Sequence, residues 1–487
     1  MTEPQRRRKP VTVVPHDDND AFDDKPHEEC GVFGIWAPGE DVARLTFFGL
    51  YALQHRGQES AGIATSDGEH VALHTSLGLV SQGFDETDLS MLKGHIAVGH
   101  TRYSTSGSSN NACNSGPMQT VGPNGELVVA HNGNLTNAVA LRRELEQDGE
   151  VFLGTTDSEV LTRVISRSPG IGFVEQLRNA MPRMIGAYSL VIMKDDTLYA
   201  ARDPLGVRPL CIGRFGEFWV VASESCALMT IGATYEREVE PGEIIEISGT
   251  TLTSHGTGET DHRAMCLLEY IYFARPDSQF SGTRLHMARQ RMGMELAREH
   301  PVKADVVIGL PDSATPAAIG YARKSGIPYQ EALIKNRYIG RTFIQPDQRL
   351  RQQGVALKFN VLPEVVEGKR VVLIDDTIVR GTTSRPIVQL LRNAGAKEVH
   401  MRVHAPPLMW PCYLGVDLAK REELIAARMS VAEIGEHIGA DSIEYLSLEG
   451  LIAAIGQGRK GFCTGCFTGE YPVPVYTGND KFALEHA

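Results

Sequence analysis

The stretch KRVVLIDDTIVRGTTS (369–384) decides the fold of the second half of this chain. Its first part is an apolar run of Val, Leu and Ile, which is typical of a strand buried on both faces of a sheet. Asp375 and Asp376 come where that strand ends, and a polar loop follows them. An amphipathic helix is predicted next. Its apolar positions recur at i, i+3, i+4 and i+7 and are Ile387, Leu390, Leu391 and Ala394.

The same order of strand, loop and helix occurs earlier in the chain. There ADVVIGL (304–310) is followed by PDSATP (311–316) and by a helical stretch that ends at Gly326. An apolar strand, a polar loop and an amphipathic helix, repeated, predict an open parallel sheet. Ligands of such sheets bind at the carboxyl ends of the strands, so we expect both loops to lie in one site.

The residues after the second strand suit a phosphorylated sugar. Two adjacent acids can accept hydrogen bonds from a sugar diol or hold a hydrated magnesium ion. The loop behind them offers hydroxyls, a cation and the N–H groups of a helix start, which together suit a phosphate. Its residues are Thr377, Arg380, Gly381, Thr382, Thr383 and Ser384. The alternative is a strand-end acid pair followed by a capped helix.

This stretch resembles the signature of type I phosphoribosyltransferases, which bind phosphoribosyl pyrophosphate (PRPP). The resemblance implies that Asp375 and Asp376 hold the ribose hydroxyls and that the following loop holds the 5-phosphate. It also implies one Mg²⁺ per subunit, bound by Ser313 together with the two aspartates. The segment KNRYIGRTFI (335–344) is expected to close over the polyanion and exclude water, with a solvated cationic loop as the alternative. Its predicted PRPP-binding residues are Lys335, Arg337, Tyr338 and Arg341.

Residues 30–255 have a different pattern, in which short β-rich runs outnumber helical segments. Strands are predicted at GVFGIWAP, HIAVGH, ELVVAH, AYSLVIMKDD, TLYAARD, FWVVAS and EIIEIS, and helices at DVARLTFFGLYALQ, NAVALRRELEQ and DSEVLTRVISR. Strands in a block with helices in separate groups predict a layered α+β domain. The stretch 249–262, rich in Ser, Thr and Gly, is predicted to join the two halves.

The run HEECGVFGIW (27–36) contains Cys30, whose residue type suits a core thiol, a metal ligand or a nucleophile. From Cys30 onward the chain resembles the class II, N-terminal-nucleophile glutamine amidotransferases. The matching stretches are CGVFGIW (30–36), LQHRGQESAGI (53–63), GHTRYSTSG (99–107), AHNGNL (130–135) and GTTDSEV (154–160). The resemblance implies the αββα sandwich of that hydrolase class and a glutaminase nucleophile at Cys30.

In that family the nucleophilic cysteine is the first residue of the mature protein, so residues 1–29 are predicted to be a removed propeptide. A free α-amine has a pKa of about 7.7–8.0, so its neutral fraction can accept the thiol proton, whereas an amide nitrogen cannot. By resemblance, the oxyanion donors are Asn132 and Gly133, and the glutamine-binding residues are Arg56, Gly57, Arg102 and Asp157. Taken singly, HNGN suits a turn, Arg102 a surface ion pair and Asp157 a helix N-cap.

Four cysteines in the second half form a further candidate site. FCTGCFTG (462–469) places Cys463 and Cys466 in a C-x-x-C pair, which suits a redox pair, half a zinc site or half a cluster site. The segments around Cys266 and Cys412 resemble the cluster-ligand segments of iron–sulfur amidophosphoribosyltransferases. The resemblance implies one 4Fe–4S cluster per subunit on these four thiolates, although spacing alone leaves zinc open. We expect this cluster to be structural. The thiols expected to be core or incidental are Cys113, Cys211 and Cys226.

Composition limits the partners and the location. A net charge of −12 at pH 7 argues against nucleic acid, which requires a basic face. No apolar window is long enough to predict a transmembrane helix, and we expect no membrane partner. The first 25 residues lack the apolar core of a secretory signal and contain the acids that transit peptides avoid. The sequence therefore predicts a cytoplasmic location.

Taken together, the resemblances identify the chain as a member of the amidophosphoribosyltransferase family. They imply that glutamine is hydrolysed at Cys30 and that channelled ammonia displaces pyrophosphate from PRPP. The products would be 5-phosphoribosylamine, pyrophosphate and glutamate, in the first committed step of de novo purine (IMP) biosynthesis. The predicted domains are a propeptide (1–29), an amidotransferase domain (30–258) and a transferase domain with the cluster region (263–487).

The family resemblance also implies feedback inhibition by the purine nucleotides AMP, GMP, ADP and GDP and assembly into a homotetramer. Two alternatives have different second halves. Another class II amidotransferase, such as a glucosamine-phosphate synthase, would carry a sugar-isomerase domain. A PRPP-binding regulator without coupled catalysis would carry a basic DNA-binding module.

Overall fold

The computed structural model describes residues 30–104, 107–109, 111–256, 262–336, 358–418, 420–456, 461–476 and 483–485. The predicted propeptide lies outside these ranges, as do Arg337, Tyr338 and Arg341 of the predicted basic loop. The described ranges form two halves, one on each side of residues 257–261. In these ranges no helix has both the length and the apolar character that crossing a membrane requires.

The first half is built on two antiparallel sheets. Its strands are β1 (Gly31–Trp36), β2 (Ser60–Ser66), β3 (Val71–Leu77), β4 (Ile96–Arg102), β5 (Met118–Gly122), β6 (Gly125–Leu135), β7 (Gly186–Lys194), β8 (Thr197–Arg202), β9 (Cys211–Phe215), β10 (Phe218–Ala222), β11 (Thr234–Glu238), β12 (Ile244–Ser248) and β13 (Thr251–His255). Among the described residues, one sheet has the order β11-β9-β10-β1-β4-β2-β3 and the other β13-β12-β8-β7-β6-β5.

Helices cover the outer faces of both sheets. They are α1 (Val42–Ala52), α2 (Val80–Gly83), α3 (Glu86–Met91), α4 (Ala138–Gln147), α5 (Asp157–Arg167), α6 (Phe173–Ala180) and α7 (Ser225–Thr230). Strand alternation separates the layers: in β1, Val32 packs between the sheets, whereas Phe33 and Ile35 pack toward α1. The predicted αββα sandwich is therefore confirmed.

The second half contains a parallel sheet. Its four described strands, in spatial order, are β17 (Val306–Gly309), β20 (Arg370–Asp375), β21 (Glu398–Val403) and β22 (Ser442–Tyr445). Neighbouring strands pair in parallel, and Val306 lies opposite Val371. The helices are α8 (Leu285–Glu299), α9 (Thr315–Ser325), α10 (Pro363–Val366), α11 (Ser384–Asn393), α12 (Val431–Ile438), α13 (Leu448–Ile455) and α14 (Gly465–Thr468). The predicted open parallel sheet is confirmed.

The helix predicted after the acid pair is α11, and its apolar face is the expected one. Ile387 and Leu391 are buried, while Leu390 and Ala394 pack partly buried against the same core. Gly395 follows with a φ of 89°, a left-handed conformation that glycine adopts without strain. Glycine therefore ends this helix as the sequence predicts.

In its described residues, the second half also contains three short two-stranded pairs. They are β14 (Met265–Cys266) with β23 (Phe462–Cys463), β15 (Gln279–Phe280) with β16 (Thr283–Arg284), and β18 (Leu333–Lys335) with β19 (Phe359–Val361). A π-helical turn, Glu269–Phe273, follows β14 after two intervening residues. This turn places Glu269, the charged residue of the apolar run 265–273, at the boundary with the first half.

Two features refine the predicted domain limits. Thr251–His255, inside the stretch expected to be a junction, forms edge strand β13 of the second sheet. At the other end of the chain, Leu484 is buried in the core that α4 and α5 share, and Arg142 donates to its carbonyl at 3.4 Å. The C-terminal residues 483–485 thus return to the first half although the predicted limits assign them to the second.

Candidate active sites

The predicted nucleophile stands at one end of the sandwich. Cys30 immediately precedes β1, and the first pair of β1 with β4 joins Gly31 to Thr101. Arg102 is the last residue of β4, so it reaches the same end of the sandwich as Cys30. His100 Nε2 donates to the carbonyl of His131 at 3.0 Å, which joins the two sheets at this point.

Cys30 is half-buried, and its thiol donates to the carbonyl of Tyr103 at 3.4 Å. Burial raises the pKa of this thiol to about 11, although the Tyr103 contact and the positive charge of Arg102 oppose the shift. The neutral thiol therefore predominates near pH 7 in a chain where residue 30 carries an amide nitrogen. A base beside the sulfur is needed for attack.

The predicted oxyanion donors lie on β6. Asn132 is fully buried, and among the described residues neither atom of its side-chain amide has a hydrogen-bond partner. Buried polar groups in proteins almost always have a partner, so an unpaired amide next to His131, where His100 joins the two sheets, indicates a ligand site. At Gly133 the φ is 147°, and a Cβ would lie 2.0 Å from the Ala187 carbonyl oxygen, so only glycine fits.

The predicted ligands of the glutamine α-groups are both buried. Arg102 lies 3.6 Å from Glu59, which also accepts hydrogen bonds from Ser104. Asp157 accepts the N–H of Leu135 at 3.0 Å, and it begins α5 after the N-cap residue Thr156. The N-cap alternative for Asp157 is therefore wrong, because Thr156 Oγ1 supplies the capping bond.

Arg56 and Gly57 lie beside Cys30, in the turn after α1. Arg56 Nε donates to the Cys30 carbonyl at 3.1 Å, and the rest of the guanidinium contacts two glutamates, Glu224 and Glu269. A Cβ at Gly57 would lie 2.6 Å from the Thr101 carbonyl carbon, so glycine lets this turn approach β4. The predicted role of both residues in binding glutamine stays a prediction.

In the second half, the predicted acid pair lies at the carboxyl end of β20. Both Asp375 and Asp376 are buried, and Ser313 from the loop after β17 donates its hydroxyl to Asp376. Thr377 Oγ1 donates to the other carboxylate oxygen of Asp376 at 2.9 Å. Three hard oxygen donors, from Ser313, Asp375 and Asp376, thus lie at neighbouring strand ends and suit Mg²⁺ chemically.

The predicted phosphate loop runs from Thr377 to the start of α11. Gly381 has a φ of 78° and is buried against Ile425, while Thr382 is exposed. Arg380 pairs with Glu423 at 2.8 Å, and Thr383 precedes the first helical residue, Ser384. Lys335, the last residue of β18, lies 3.3 Å from Asp312 in the loop after β17. The loop therefore ends at the N-terminus of a ten-residue helix, which suits an anion.

The four predicted cluster ligands come together from distant parts of the sequence. Cys266 in β14 lies opposite Cys463 in β23, in parallel register. Burial raises the pKa of Cys466 well above its usual value, and Cys266, Cys463 and Cys412 raise it further, so these thiols are electrostatic neighbours. Among the described residues, no three His, Cys, Asp or Glu side chains meet as closely as a single metal ion would require.

The segment that carries Cys412 also reaches the oxyanion strand. Asn134 Nδ2 donates to the Tyr413 carbonyl at 3.0 Å, and Arg208 Nε donates to the Leu414 carbonyl at 2.8 Å. A Cβ at Gly415 would lie 3.0 Å from the carbonyl carbon of Gly133. The candidate cluster loop and the candidate oxyanion strand are therefore in direct contact.

Sequence reasoning missed the acidic partners of this region, Glu59, Glu224 and Glu269. The clearest available signal is MCLLEYIYF, residues 265–273, where one glutamate interrupts an apolar run. A charge buried in such a run requires a partner. The partners Arg56 and Glu269 lie 213 residues apart, so spacing could not pair them.

Comparison with known proteins agrees with this arrangement. Residues 100–230 match the family described as a glutamine amidotransferase domain, and residues 286–406 match the phosphoribosyl transferase domain family. The fold and site therefore define a class, a glutamine amidotransferase joined to a phosphoribosyltransferase. The alternative of a glucosamine-phosphate synthase is wrong, because the second match is to phosphoribosyl transfer.

Similarity over the whole chain identifies the family. The chain is 52% identical over 458 residues to the amidophosphoribosyltransferase of Synechocystis, covering 93% of this chain and 92% of that protein. It is 49% identical over 461 residues to the Bacillus subtilis amidophosphoribosyltransferase, covering 92% of this chain and 95% of the relative. The solved structure of the B. subtilis glutamine PRPP amidotransferase complexed with ADP and GMP matches with a TM-score of 0.87 and 48% identity, covering 92% of this chain and 99% of that one.

The chain belongs to the amidophosphoribosyltransferase family. It is a transferase of the glycosyltransferase type, whose two domains serve glutamine-dependent amidotransfer to PRPP in purine biosynthesis.

Proposed function

We propose that Cys30, once it is the first residue of the chain, releases ammonia from glutamine and that this ammonia reacts with PRPP at the end of β20. The observation that carries the proposal is the buried, unpartnered amide of Asn132 at the same end of the sandwich as Cys30. Membership of the family supports the overall reaction, and the resemblance of the motifs supports the proposed roles of the individual residues.

The glutaminase step begins with transfer of the Cys30 thiol proton to the α-amine. The sulfur then bonds to the amide carbon of glutamine, and the resulting oxyanion accepts hydrogen bonds from the Asn132 amide and the Gly133 N–H. Each such donor contributes about 3–4 kcal/mol to the transition state. The ammonium at Cys30 returns its proton to the departing nitrogen, and ammonia leaves a thioester that water hydrolyses to glutamate.

Two buried groups orient glutamine for this attack. Arg102 binds the α-carboxylate through its planar fork, and Asp157 binds the α-ammonium. The charges of Arg102 and Asp157 both affect the pKa of the Cys30 thiol, which supports a position for both residues near Cys30. Arg56 and Gly57 complete this predicted glutamine site.

The transferase step takes place at the acid pair at the end of β20. Asp375 and Asp376 accept hydrogen bonds from the ribose hydroxyls, and the loop of Thr377, Arg380, Gly381, Thr382 and Thr383 binds the 5-phosphate. Ammonia bonds to the anomeric carbon as the bond to pyrophosphate breaks, which gives 5-phosphoribosylamine. Magnesium held by Ser313, Asp375 and Asp376 would neutralise charge on pyrophosphate. Lys335 adds a positive charge near the loop that carries Ser313.

The thiols of Cys266, Cys412, Cys463 and Cys466 are proposed to hold one 4Fe–4S cluster, which thiolates suit chemically. The shared register of Cys266 and Cys463 supports this proposal. Because neither half-reaction transfers electrons, the cluster would act as a structural link. Iron and acid-labile sulfide at about four atoms each per chain would support the assignment, whereas one zinc per chain would overturn it.

We also propose that ADP and GMP bind this chain, as the ligands of the similar solved structure suggest. Inhibition by AMP, GMP, ADP and GDP stays a prediction from the family resemblance. Assembly as a homotetramer and a cytoplasmic location stay predictions. Inhibition of product formation by each nucleotide, measured at fixed PRPP, tests the predicted inhibition.

The experiment that tests the main proposal compares two nitrogen donors. Cys30→Ala is expected to abolish product formation from glutamine and to leave formation from ammonium salts unchanged. Mass spectrometry of the active wild-type protein is expected to show Cys30 as its first residue. Glutamine-dependent activity in the Cys30→Ala variant, or an active chain that retains residues 1–29, would overturn the assignment of the nucleophile.

A further inference from the structure

Four charged side chains are buried together where the two halves meet. They are Arg56, Arg208, Glu224 and Glu269, each 1% exposed or less. We refer to them as the interface quartet. Arg56 pairs with Glu224 and with Glu269 at 2.6 Å each, and Arg208 lies 3.7 Å from Glu269. Glu269 alone comes from the second half, from its π-helical turn.

The charges of the quartet balance, since it contains two guanidinium groups and two carboxylates. His55 also contacts Glu224 at 2.7 Å. Burial alone would raise the pKa of Glu224, but His55 and Arg56 hold it well below its usual range, so this carboxylate is ionised. Removing such ions from water costs free energy that an apolar cluster would not require, so stability is a weak explanation for them. A requirement to hold neighbouring groups in one fixed geometry explains these buried charges better.

The geometry that the quartet fixes is that of Cys30. An arginine side chain presents its donors in one rigid plane. Glu224 and Glu269 hold the Nη1 and Nη2 nitrogens of Arg56, and the third nitrogen, Nε, donates to the Cys30 carbonyl at 3.1 Å. The position of Glu269 therefore determines where the Cys30 carbonyl is held.

This contact has a particular value in a chain that begins at Cys30. First residues of chains are poorly ordered unless something holds them. Here the α-amine, the thiol and the carbonyl all branch from one Cα, so a hydrogen bond to the carbonyl restricts the directions of the other two. Accurate placement of the base and the nucleophile is worth a large rate factor, and an error of about 1 Å can cost about 10²-fold.

We propose that Glu269 is a positioning residue for the glutaminase reaction, acting from the transferase half through Arg56 on the carbonyl of Cys30. The proposal rests on the proposed function of Cys30 as the nucleophile. It differs from a general role in holding the interface, because it requires Arg56 and Glu269 to act as one unit on one atom.

Neighbouring contacts show how Glu269 is itself held. The buried Arg289 of α8 donates to the Tyr270 carbonyl at 2.9 Å and to the Ala274 carbonyl at 2.7 Å, on the π-helical turn and just after it. Burial lowers the pKa of Arg289 to about 10, and the negative charge of Asp376 opposes that shift. The turn that carries Glu269 is thus fixed by a residue in the electrostatic field of the transferase site.

The test uses Glu269→Gln, Arg56→Lys and the double variant. Glu269→Gln is expected to lower the glutamine-dependent kcat about 10- to 100-fold, with the KM for glutamine changed less than about threefold. The ammonia-dependent rate is expected to stay within about twofold, because the transferase site is intact. Arg56→Lys keeps every charge but cannot make all three contacts, so it should lower the glutamine-dependent kcat to a similar extent and leave the ammonia-dependent rate within about twofold.

The double variant separates positioning from independent effects. If the two residues act as one unit, the double variant is expected to be no more than about threefold slower than Arg56→Lys alone. The matched control is Arg275→Lys. Arg275 also crosses the interface, donating to the Ala52 carbonyl at 3.4 Å, but its side chain pairs with Asp277 and has no described contact with Cys30. Its variant should retain wild-type kcat with both donors.

Several results would overturn the proposal. They are multiplicative losses in the double variant, an equal loss of the ammonia-dependent rate, or an unchanged kcat in Arg56→Lys. Because Arg56→Lys retains the charge balance, it decides the question even where Glu269→Gln does not fold. A glutamine-active Cys30→Ala variant would instead refute the assignment of the nucleophile, so the two failures are distinguishable.

Discussion

The two candidate sites satisfy their buried polar groups in opposite ways. In the first half, the Asn132 amide has no hydrogen-bond partner among the described residues. In the second half, Asp376 is equally buried, but it already accepts hydrogen bonds from Ser313 and Thr377. The first site is preorganised for an oxygen atom that the substrate supplies, whereas the second must exchange internal hydrogen bonds for ligand contacts.

This difference follows from the elements that carry the groups. Asn132 lies within β6 and pairs with Ser189 of β7, so the sheet fixes its position whether or not a ligand binds. Asp376 comes one residue after β20, at a strand end next to a loop, where side chains of neighbouring loops can reach it. Preorganised donors need no rearrangement during reaction, and that is the condition under which an oxyanion site is most effective.

Asp376→Asn is expected to have the largest effect, because it changes a group that both the metal and the ribose would need. Product formation should fall roughly 10³-fold or more with either nitrogen donor, since several kcal/mol of charge stabilisation are lost. Glutamine hydrolysis without PRPP should stay close to wild type. An ammonia-dependent rate within tenfold of wild type would contradict the role of Asp376.

Asn132→Ala is expected to affect only one donor. Loss of one oxyanion contact should lower the glutamine-dependent kcat about 10²- to 10³-fold, or about 3–4 kcal/mol. Ammonia-dependent formation of product should be unchanged. Asn132→Asp is the matched control for volume, because it keeps the shape and removes the donor, and it should be at least as slow. Retention of activity in either variant would exclude Asn132 from the oxyanion site.

Much of this arrangement could be predicted from the sequence, and the exceptions share a physical cause. The strand at 371–375, the acids after it and helix α11 follow from local patterns of hydrophobicity. The motif around Asn132 identified the residue, but not the fact that its amide lacks a partner, because that depends on atoms of both sheets. Local pattern fixes elements, and packing between distant elements decides which polar groups remain unpaired.

The interface quartet illustrates the same limit. Arg56 was recognised within a motif and predicted to bind glutamine, but its ion pairs with Glu224 and Glu269, 168 and 213 residues away, were not predicted. Likewise, Cys266 and Cys463 were predicted to bind the same cluster, but only the register of β14 with β23 shows them side by side. The sequence could assign individual residues to a site, whereas it could not predict which residues of the two halves contact each other.

Acid should destabilise the first half through His100. Burial lowers the pKa of His100 to about 3, so it stays neutral in the fold while the unfolded residue takes up a proton below about 6.5. Stability is therefore complete above about pH 7 and is lost as the pH falls from 6.5 toward 3. Between pH 7 and pH 5 this residue should account for about 2 kcal/mol of the loss in unfolding free energy.

His100→Gln should remove that part of the pH dependence, measured by denaturant unfolding at several pH values. His70→Asn serves as the control, because the His70 side chain is 80% exposed and should leave the slope unchanged. A His100→Gln variant with the wild-type slope would show that His100 is protonated in the fold, and the balance of charges near Cys30 would then need to be revised.

The smallest expected effect comes from Asn134→Ala, which removes a hydrogen bond between the first half and the segment of the second half that carries Cys412. Asn134 lies two residues after Asn132 and donates to the Tyr413 carbonyl, next to Cys412. Loss of one such hydrogen bond should lower the unfolding free energy by about 1 kcal/mol. The glutamine-dependent kcat should fall about three- to fivefold, or roughly 1 kcal/mol, because the oxyanion strand loses support on its cluster side.

Gln119→Ala is the matched control for Asn134→Ala, since it removes an exposed bond to Glu126 in the same sheet. It should change neither stability nor rate. Equal losses of the glutamine- and ammonia-dependent rates in Asn134→Ala would mean that the contact stabilises the transferase half instead. A selective loss would mean that the preorganisation of Asn132 is maintained partly from the other half of the chain, so the fixed geometry of the first site would depend on packing that the second half supplies.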